Sequence, residues 1–402
     1  MVALRDPAGF TSSVLVLPIP LLDMVSLFDG EHSIGDIQEV LTRRRGQLVM
    51  SDEIVGVAEA LDEGGFLDSA RFAERRRELE REFREAPLRP ATHAGGAYAG
   101  DPEALRTQMD GFFDAPDGPG TIRWAEGARA ALPPARPRPP RERPRSPRGL
   151  IAPHIDFHRG GPAYAWGYRD LAERCTADCF VILGTCHSGM ADPFAVTLKD
   201  YDTPLGPAPV DREFVDALSR RAGQDLFGSE LSHRAEHSIE FQAVFLRYLF
   251  AGRREITIVP VLASFVHEAI ARDRGPEDDP RVPRFLDALG ETIAASSRSV
   301  CVIAGADLAH VGPRFGDPDP VSPPFLAEVE REDLAMLTTV TAGDARAFFA
   351  SAAKDGDRRR ICGLSPIYAL LRTVGDASGA LRRYGQWPDP QGTVTFASVV
   401  MS

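Results

Sequence analysis

The spacing of hydrophobic residues separates an N-terminal region from the rest of the chain. Up to about residue 69, apolar residues recur at helical spacing in two short segments, which begin at Ser33 and Ser51. Serine is a favoured helix N-cap, so both segments are predicted to be helices. Phe66 and Leu67 then predict a short strand. We interpret residues 1–69 as a small winged-helix-like or peptide-docking module.

Two charged segments follow this module. Residues 70–87 mix Arg and Glu densely, and we predict a connecting helix whose charges pair at i,i+4 spacing. Residues 133–148 contain seven prolines and six arginines. Proline at that density prevents helix and sheet, so we expect an exposed, extended loop inserted in a larger domain.

From residue 149 onward, short β-rich runs alternate with helical patterns. The predicted strands are 149–153, 179–183, 195–198, 256–262, 300–304 and 393–400, and the predicted helices are 212–222, 238–250, 283–296, 324–339 and 343–355. Continuous apolar strands between helices are typical of an α/β domain with a mixed, largely parallel central sheet flanked by helices. We predict that this domain covers residues 88–402.

Composition narrows the classes of function. Lys and Arg number 46 and Asp and Glu 58, so the net charge is −12. An acidic total argues against a nucleic-acid partner, because such affinity comes from cations that neutralise phosphates. No run of about 20 apolar residues predicts a membrane span. Five cysteines without a CxxC pair fit a reducing cytoplasm and exclude a disulfide framework.

Three of the predicted strands are followed within a few residues by histidine or aspartate. His154 follows the first strand, His187 follows the second, and Asp307 and His310 follow the strand at 300–304. In open α/β sheets, ligands bind in the crevice beyond the carboxyl ends of the strands. Side chains far apart in sequence are therefore expected to meet there.

A fourth histidine begins a predicted helix. His237 and Glu240 are three residues apart, hence on one helical face. Imidazoles gathered with carboxylates are the ligands that Fe(II), Zn or Cu would use. We expect a helix directly after His154 to be disfavoured by Gly160 and Gly161, and we expect His32, His233 and His267 to face solvent.

Motifs of several other enzyme classes are absent from the sequence. No serine lies in GxSxG, no GxxxxGK[ST] is present, and no GxGxxG opens a strand–helix unit. Serine hydrolases and nucleotide-binding enzymes are therefore disfavoured.

A series of short motifs resembles the Memo family, and especially its bacterial members called AmmeMemoRadiSam system protein B. The motifs occur in family order at residues 91–98, 150–154, 181–187, 203–206, 236–240, 307–310 and 361–367, and they cover most of the chain. The segment at 236–240, EHSIE, is close to identical to a family signature. The resemblance implies a fold similar to LigB-type extradiol ring-cleaving dioxygenases.

The resemblance also implies a metal site. Family members bind copper or iron through positions equivalent to His154 and His187 and a third position, which falls here at Ala309. Alanine cannot ligate, so His237, Asp307 or His310 would complete the site.

Our interpretation assigns roles within this set. His154, His187 and His237 would hold Fe(II) or Cu, with Asp156, which replaces a usual glycine, as a fourth ligand. His310, held by Asp307, would transfer protons near neutral pH.

Three hypotheses for the function follow. The first is a mononuclear non-haem metal redox protein or enzyme that acts on a small-molecule substrate together with a radical-SAM enzyme. The second is a non-catalytic partner protein whose N-terminal module docks a peptide or an enzyme. The third is a hydrolase with a zinc-activated water.

Overall fold

The protein forms two compact units, Met1–Ala86 and Pro87–Ser402. The computed structural model describes residues 1–6, 8–124 and 146–402, so most of the Pro/Arg-rich segment predicted at 133–148 lies outside the described residues. Within the described part of the chain, no helix is both long and apolar enough to cross a membrane.

The first unit is an antiparallel hairpin with four helices. Its elements are β1 (Val2–Arg5), β2 (Val14–Leu17), α1 (Leu22–Val25), α2 (Ile34–Arg45), α3 (Ser51–Glu63) and α4 (Ala70–Glu85). Ser33 caps α2, where its hydroxyl accepts a hydrogen bond from the Asp36 backbone N–H at 3.3 Å. The strand predicted at Phe66 and Leu67 is wrong, because neither residue belongs to a strand.

The second unit alternates strands and helices. Its strands are β3 (Leu88–Arg89), β4 (Gly149–Ala152), β5 (Cys179–Thr185), β6 (Phe194–Val196), β7 (Asp200–Tyr201), β8 (Thr257–Ala263), β9 (Val300–Gly305), β10 (Asp307–Val311), β11 (Gly379–Trp387) and β12 (Thr393–Met401). Its helices are α5 (Pro102–Asp114), α6 (Phe157–Arg174), α7 (Arg212–Ala222), α8 (His237–Phe250), α9 (Val266–Ala271), α10 (Arg281–Ala295), α11 (Pro323–Thr341), α12 (Ala345–Ala353) and α13 (Leu364–Val374).

Eight strands form one mixed sheet in the order β10-β12-β4-β9-β5-β8-β6, with β11 also paired to β12. The four strands β4, β9, β5 and β8 are parallel, while β6, β10, β11 and β12 pair antiparallel. The predicted α/β class with a mixed, largely parallel sheet is confirmed. Because β4, β5 and β9 run in one direction, their carboxyl ends share one edge of the sheet.

A long helix follows β4 despite its two glycines. Residues Phe157–Arg174 form α6, so the expectation that Gly160 and Gly161 disfavour a helix is wrong. A Cβ at Gly160 would lie 2.4 Å from the Ile155 side chain, and one at Gly161 would lie 2.4 Å from the Phe112 ring. The glycines lower helix propensity but permit close packing on both sides, and tertiary packing decides the outcome.

Candidate metal centre

Three histidines meet at the shared carboxyl edge of the sheet. His154 follows β4 by two residues, His187 follows β5 by two residues, and His237 is the first residue of α8. Their ring centroids are 4.8 Å (His154–His187), 5.3 Å (His154–His237) and 4.6 Å (His187–His237) apart. One nitrogen from each ring lies within 4.8 Å of the others, so the three-histidine group could hold a metal ion.

Two glycines let α8 approach the ends of the strands. A Cβ at Gly184 in β5 would lie 2.5 Å from the Ile239 side chain. A Cβ at Gly305, the last residue of β9, would lie 2.5 Å from the Ser238 carbonyl oxygen. Any larger residue would push the first turn of α8 away from the sheet, so these positions bring His237 within reach of the two strand-end histidines.

One buried carboxylate orients two of the rings. Glu236 is 6% exposed and accepts hydrogen bonds from the His187 backbone N–H at 2.8 Å and from His187 Nδ1 at 2.9 Å. The same carboxylate caps α8 and lies 3.3 Å from His237 Nδ1. A carboxylate only accepts, so the proton of His187 sits on Nδ1 and Nε2 keeps its lone pair for a metal.

The third ring is held by the backbone. His154 is 2% exposed, and its Nδ1 donates to the Gly305 carbonyl oxygen at 2.8 Å. Its backbone N–H donates to Asp307 Oδ1 at 3.0 Å. His154 and His187 thus use Nδ1 for the hydrogen bonds that orient their rings, the arrangement found around metal-ligating histidines, and His237 Nδ1 lies near the same carboxylate as His187.

Burial and neighbouring charges set the protonation of the three rings. Burial, with the nearby His187, lowers the pKa of His154 to about 3, and burial lowers the pKa of His237 well below its usual value. Burial also disfavours charge on His187, but the Glu236 carboxylate outweighs it and raises the pKa of that ring. His154 and His237 are therefore neutral at physiological pH, which is the form that ligates metals.

Asp307 and His310 lie on β10 beside the three-histidine group. Burial raises the pKa of Asp307 to about 6, and its carboxylate contacts His154, with 3.6 Å between Asp307 Oδ2 and His154 Nε2. The His310 ring hydrogen-bonds to the Leu308 carbonyl oxygen at 3.1 Å. The Asp307 carboxylate thus faces His154, and the proposed proton-transfer role of this pair stays a prediction.

The Asp156 side chain has local partners. It caps α6 by accepting a hydrogen bond from the Arg159 backbone N–H at 3.2 Å, and it forms an ion pair with the Arg159 guanidinium at 2.7 Å. The structure therefore joins His154, His187 and His237 but does not include Asp156 in their group. An Asp two residues after a strand-end histidine is equally well placed to cap the following helix.

Cys362 is a neighbour that the sequence motifs contained but that received no role. Its Sγ lies 3.1 Å from His154 Nε2, the nitrogen that does not bond to the Gly305 carbonyl oxygen. Burial raises the pKa of this thiol well above its usual value. A bound cation would reverse that preference, because it stabilises the thiolate. The only sequence signal was its place in the C-terminal motif.

A buried polar network around Glu240 contacts the first turn of α8, next to the three-histidine group. Glu240 is fully buried and accepts hydrogen bonds from Arg89, also fully buried, and from the Tyr98 hydroxyl. The Thr92 hydroxyl and His93 also contact it, and the His93 ring lies 5.5 Å from that of His237. Sequence reasoning placed Glu240 on the site face but missed His93 and Arg89, which reach it from about 150 residues away.

His233 is not part of the site. It is fully buried, with Nδ1 bonded to the Tyr201 hydroxyl at 2.8 Å and Nε2 to the Ala195 carbonyl oxygen at 3.1 Å. The expectation that it faces solvent is wrong, because both ring nitrogens find partners in the interior.

The fold and the three-histidine group define an α/β protein with a candidate metal centre at the carboxyl edge of its sheet. A sequence model of the Memo-like protein family matches residues 89–393. The chain belongs to the Memo-like protein family, and the resemblance seen in the motifs is confirmed.

Relatives in this family match the chain over most of its length. A MEMO1 family protein of Aquifex aeolicus is 28% identical over 401 residues, which cover 98% of this chain and 94% of that protein. MEMO1 family proteins of Methanopyrus kandleri and Thermus thermophilus are each 28% identical, over 76% and 87% of this chain and 96% and 92% of their own lengths. The Aquifex aeolicus match includes the N-terminal unit.

Proposed function

We propose that this Memo-family protein binds a single Fe(II) or Cu ion at His154, His187 and His237 and uses it in a redox reaction on a small molecule. The observation that supports the proposal is the meeting of three oriented imidazoles from three separate elements at one point. The third ligand, in this proposal, is His237 rather than a residue at Ala309.

The donor chemistry fits such an ion. Imidazole suits Fe, Cu and Zn, whereas Mg²⁺ and Ca²⁺ prefer oxygen ligands. The nearby Cys362 thiol adds a soft donor, and a reducing cytoplasm would keep it a thiol. A bound Fe or Cu ion would supply one-electron and O₂ chemistry that side chains cannot perform.

The protein groups have separate tasks in this proposal. Glu236 fixes the orientation of His187 and His237, so that the lone pairs point to one position. His187 and His237 are 34% and 29% exposed, against 2% for His154, so substrate would arrive on their side. We propose that His310 and Asp307 carry protons there, since the pKa of Asp307 is raised to about 6 by burial.

Metal binding is tested with untagged protein reconstituted anaerobically with Fe(II) or Cu. We expect about one equivalent of metal and a ligand-field or charge-transfer spectrum in the wild type, and loss of both in His187→Ala. His32→Ala is the matched control, because His32 lies in the first unit and pairs with Asp29. Wild-type protein that retains neither Fe nor Cu would contradict the proposal, and retention of Zn alone would favour a hydrolase.

We further propose that the N-terminal unit docks a partner, such as a radical-SAM enzyme or its peptide. Apolar side chains on the hairpin and the segment after it support this idea, since Val14, Val16 and Ile19 are 50%, 50% and 61% exposed. Pull-down of the radical-SAM enzyme should weaken in a Val14→Glu/Val16→Glu variant. Equal recovery of the partner by the variant and the wild type would remove the docking proposal.

A further inference from the structure

A cavity of about 310 Å³ opens beside the three-histidine group. The residues that line it include His187 and Cys362, which belong to or contact the three-histidine group, and Arg360, His267 and Asp357. Its volume is at the lower end of the range for small-molecule sites, so it suits a compact ligand. A ligand in this cavity would touch the metal-facing residues and the loop 357–362 at the same time.

The loop that carries Arg360 is held in an unusual conformation. Asp357 and Arg360 have φ angles of 55° and 51°, and they are two of the three non-glycine residues with positive φ among the described residues. The Asp357 carboxylate accepts the Ile361 backbone N–H at 3.0 and 3.1 Å, which stabilises the turn. Non-glycine residues in this region of φ persist where the surrounding structure imposes them, and they cluster at ligand sites.

The Arg360 guanidinium is anchored from outside the cavity. It donates to Asp317 Oδ1 at 2.7 Å and to the His310 carbonyl oxygen at 3.3 Å, and Asp317 does not line the cavity. These bonds use two of the five N–H donors of the arginine. The guanidinium is thus fixed in place with donors left for a ligand.

Recognition of an anion in this cavity would depend on the free hydrogen-bond donors of Arg360 rather than on a net positive charge, because Arg360 is paired with Asp317 and the wall contains the Asp357 carboxylate. Among the described residues that line it, Asp357 is the one carboxylate, and it accepts the Ile361 N–H and lies 3.5 Å from His267 Nε2, so part of its acceptor capacity is used within the wall. Arg360 carries a permanent positive charge, and His267 adds an imidazole whose Nε2 bonds to the Ile361 carbonyl oxygen. The remaining wall includes Ala263 and Cys186, which offer apolar surface.

We propose that this cavity binds a small organic carboxylate, with the carboxylate on Arg360 and the body of the molecule directed toward His187 and Cys362. The planar guanidinium matches a carboxylate through two parallel hydrogen bonds, which a lysine cannot reproduce. The role of this ligand as substrate rests on the proposed metal function, while its binding does not require the metal.

The test compares benzoate with benzamide, its uncharged isostere, by calorimetric titration of the metal-free protein. We expect the wild type to bind benzoate in preference to benzamide. Arg360→Gln should weaken benzoate about tenfold or more, since a charge-assisted hydrogen bond is lost, and Arg360→Lys should retain part of the affinity.

Arg358→Gln is the matched control. Arg358 lies in the same loop, pairs with Glu332 at 2.7 Å and does not line the cavity, so benzoate affinity should stay within about twofold. Absence of benzoate binding at millimolar concentration, equal binding of benzamide by the wild type, or an equal loss in both Gln variants would overturn the proposal.

The same variants separate this proposal from the metal function. Arg360→Gln should bind Fe(II) or Cu as the wild type does, because Arg360 is not in the three-histidine group. Benzoate binding that depends on Arg360 in a protein that binds no metal would support the carboxylate site and refute the metal function alone. Metal binding without benzoate binding would support the metal function and refute the carboxylate site.

Discussion

The Glu236 carboxylate offers the sharpest test of how the centre is organised. It accepts hydrogen bonds from His187 Nδ1 at 2.9 Å, from the His187 backbone at 2.8 Å and from the backbone N–H groups of His237 and Ser238 at 2.9 and 3.0 Å. Burial opposes its charge, yet His187 and these donors hold the pKa of Glu236 well below its usual value. Glu236→Gln keeps the shape and removes the charge.

Two effects of this substitution can be given magnitudes. Loss of an orienting partner of metal-ligating histidines weakens metal binding by about 10- to 100-fold, or about 1.4–2.7 kcal/mol. Loss of the negative charge at the N-terminus of α8 lowers the free energy of unfolding by about 0.3–1 kcal/mol, since the amide oxygen of Gln can still accept the bonds of the cap. The pKa of His187 should also fall, because burial remains while the attracting carboxylate is gone.

The assay is a competitive titration of Fe(II) or Cu against a chelator between about pH 5.5 and 8, with urea unfolding in parallel. In the wild type, metal affinity should fall as the pH drops through the raised pKa of His187, since the proton competes with the metal. In Glu236→Gln the decrease in metal affinity should occur at lower pH, and the metal affinity at higher pH should be weaker than in the wild type.

Asp211→Asn is the matched control for a negative charge lost at a helix N-cap. Asp211 is 5% exposed, caps α7 through the Phe214 N–H at 3.0 Å and bonds to Thr257 at the amino end of β8, the opposite edge of the sheet. It should lose stability but keep its metal affinity. If Glu236→Gln binds metal as tightly as Asp211→Asn, the orienting role of Glu236 is refuted.

Three further predictions concern stability. Gly184→Ala should lower the free energy of urea unfolding by about 1–3 kcal/mol, because its Cβ would lie 2.5 Å from a side chain of α8. Gly290→Ala should raise the free energy of unfolding by about 0.5–1 kcal/mol, because Gly290 lies in the interior of α10 with nothing within 4 Å of the added Cβ. Burial lowers the pKa of His233 to about 3. Below about pH 6.5 the unfolded state therefore binds a proton that the folded state does not, and the free energy of unfolding should fall by up to about 1.4 kcal/mol per pH unit from pH 6.5 toward pH 3. His233→Gln should reduce that slope in pH-dependent unfolding. Arg89→Met should cost about 3–5 kcal/mol because it leaves the Glu240 carboxylate buried without its guanidinium partner. Arg89→Met/Glu240→Gln should recover part of that loss in the same assay.

Each of these predictions has an outcome that would contradict it. Equal stability of the two alanine variants would show that α8 does not need the close approach to β5. An unchanged pH slope in the His233 variant would place the acid sensitivity on other groups. A double variant no more stable than Arg89→Met would show that the buried charge is not the cause of the loss.

The local pattern of apolar and polar residues was enough to predict the main strands of the central sheet and the histidines that follow them. The run at 179–183 is apolar on both faces, so it had to be a buried strand, and His187 had to emerge at its end. His154 and His187 are brought together by the parallel direction of β4 and β5, which alternation with helices already indicated. His237 was recognised because it begins an amphipathic segment.

Other features depend on contacts that no local pattern encodes. Strand β12 was predicted, but its antiparallel neighbours β10 and β11 were not. Helix α6 formed although its glycines disfavour a helix, because the cost of glycine is small compared with the gain from close packing. Asp156 had two competing uses, as a ligand or as a helix cap. The side chain of Arg159 lies close enough to favour the cap.

By itself, then, the sequence determined which residues end the strands and hence which histidines share an edge, because strand and helix periodicity are local properties. Tertiary structure alone decided which groups surround these histidines. Glu236 contacts two of the rings, Cys362 of a loop distant in sequence contacts His154, and Arg360 lines the neighbouring cavity. Those placements depend on long-range packing and on the pairing of buried charges, whose energies a one-dimensional pattern does not contain.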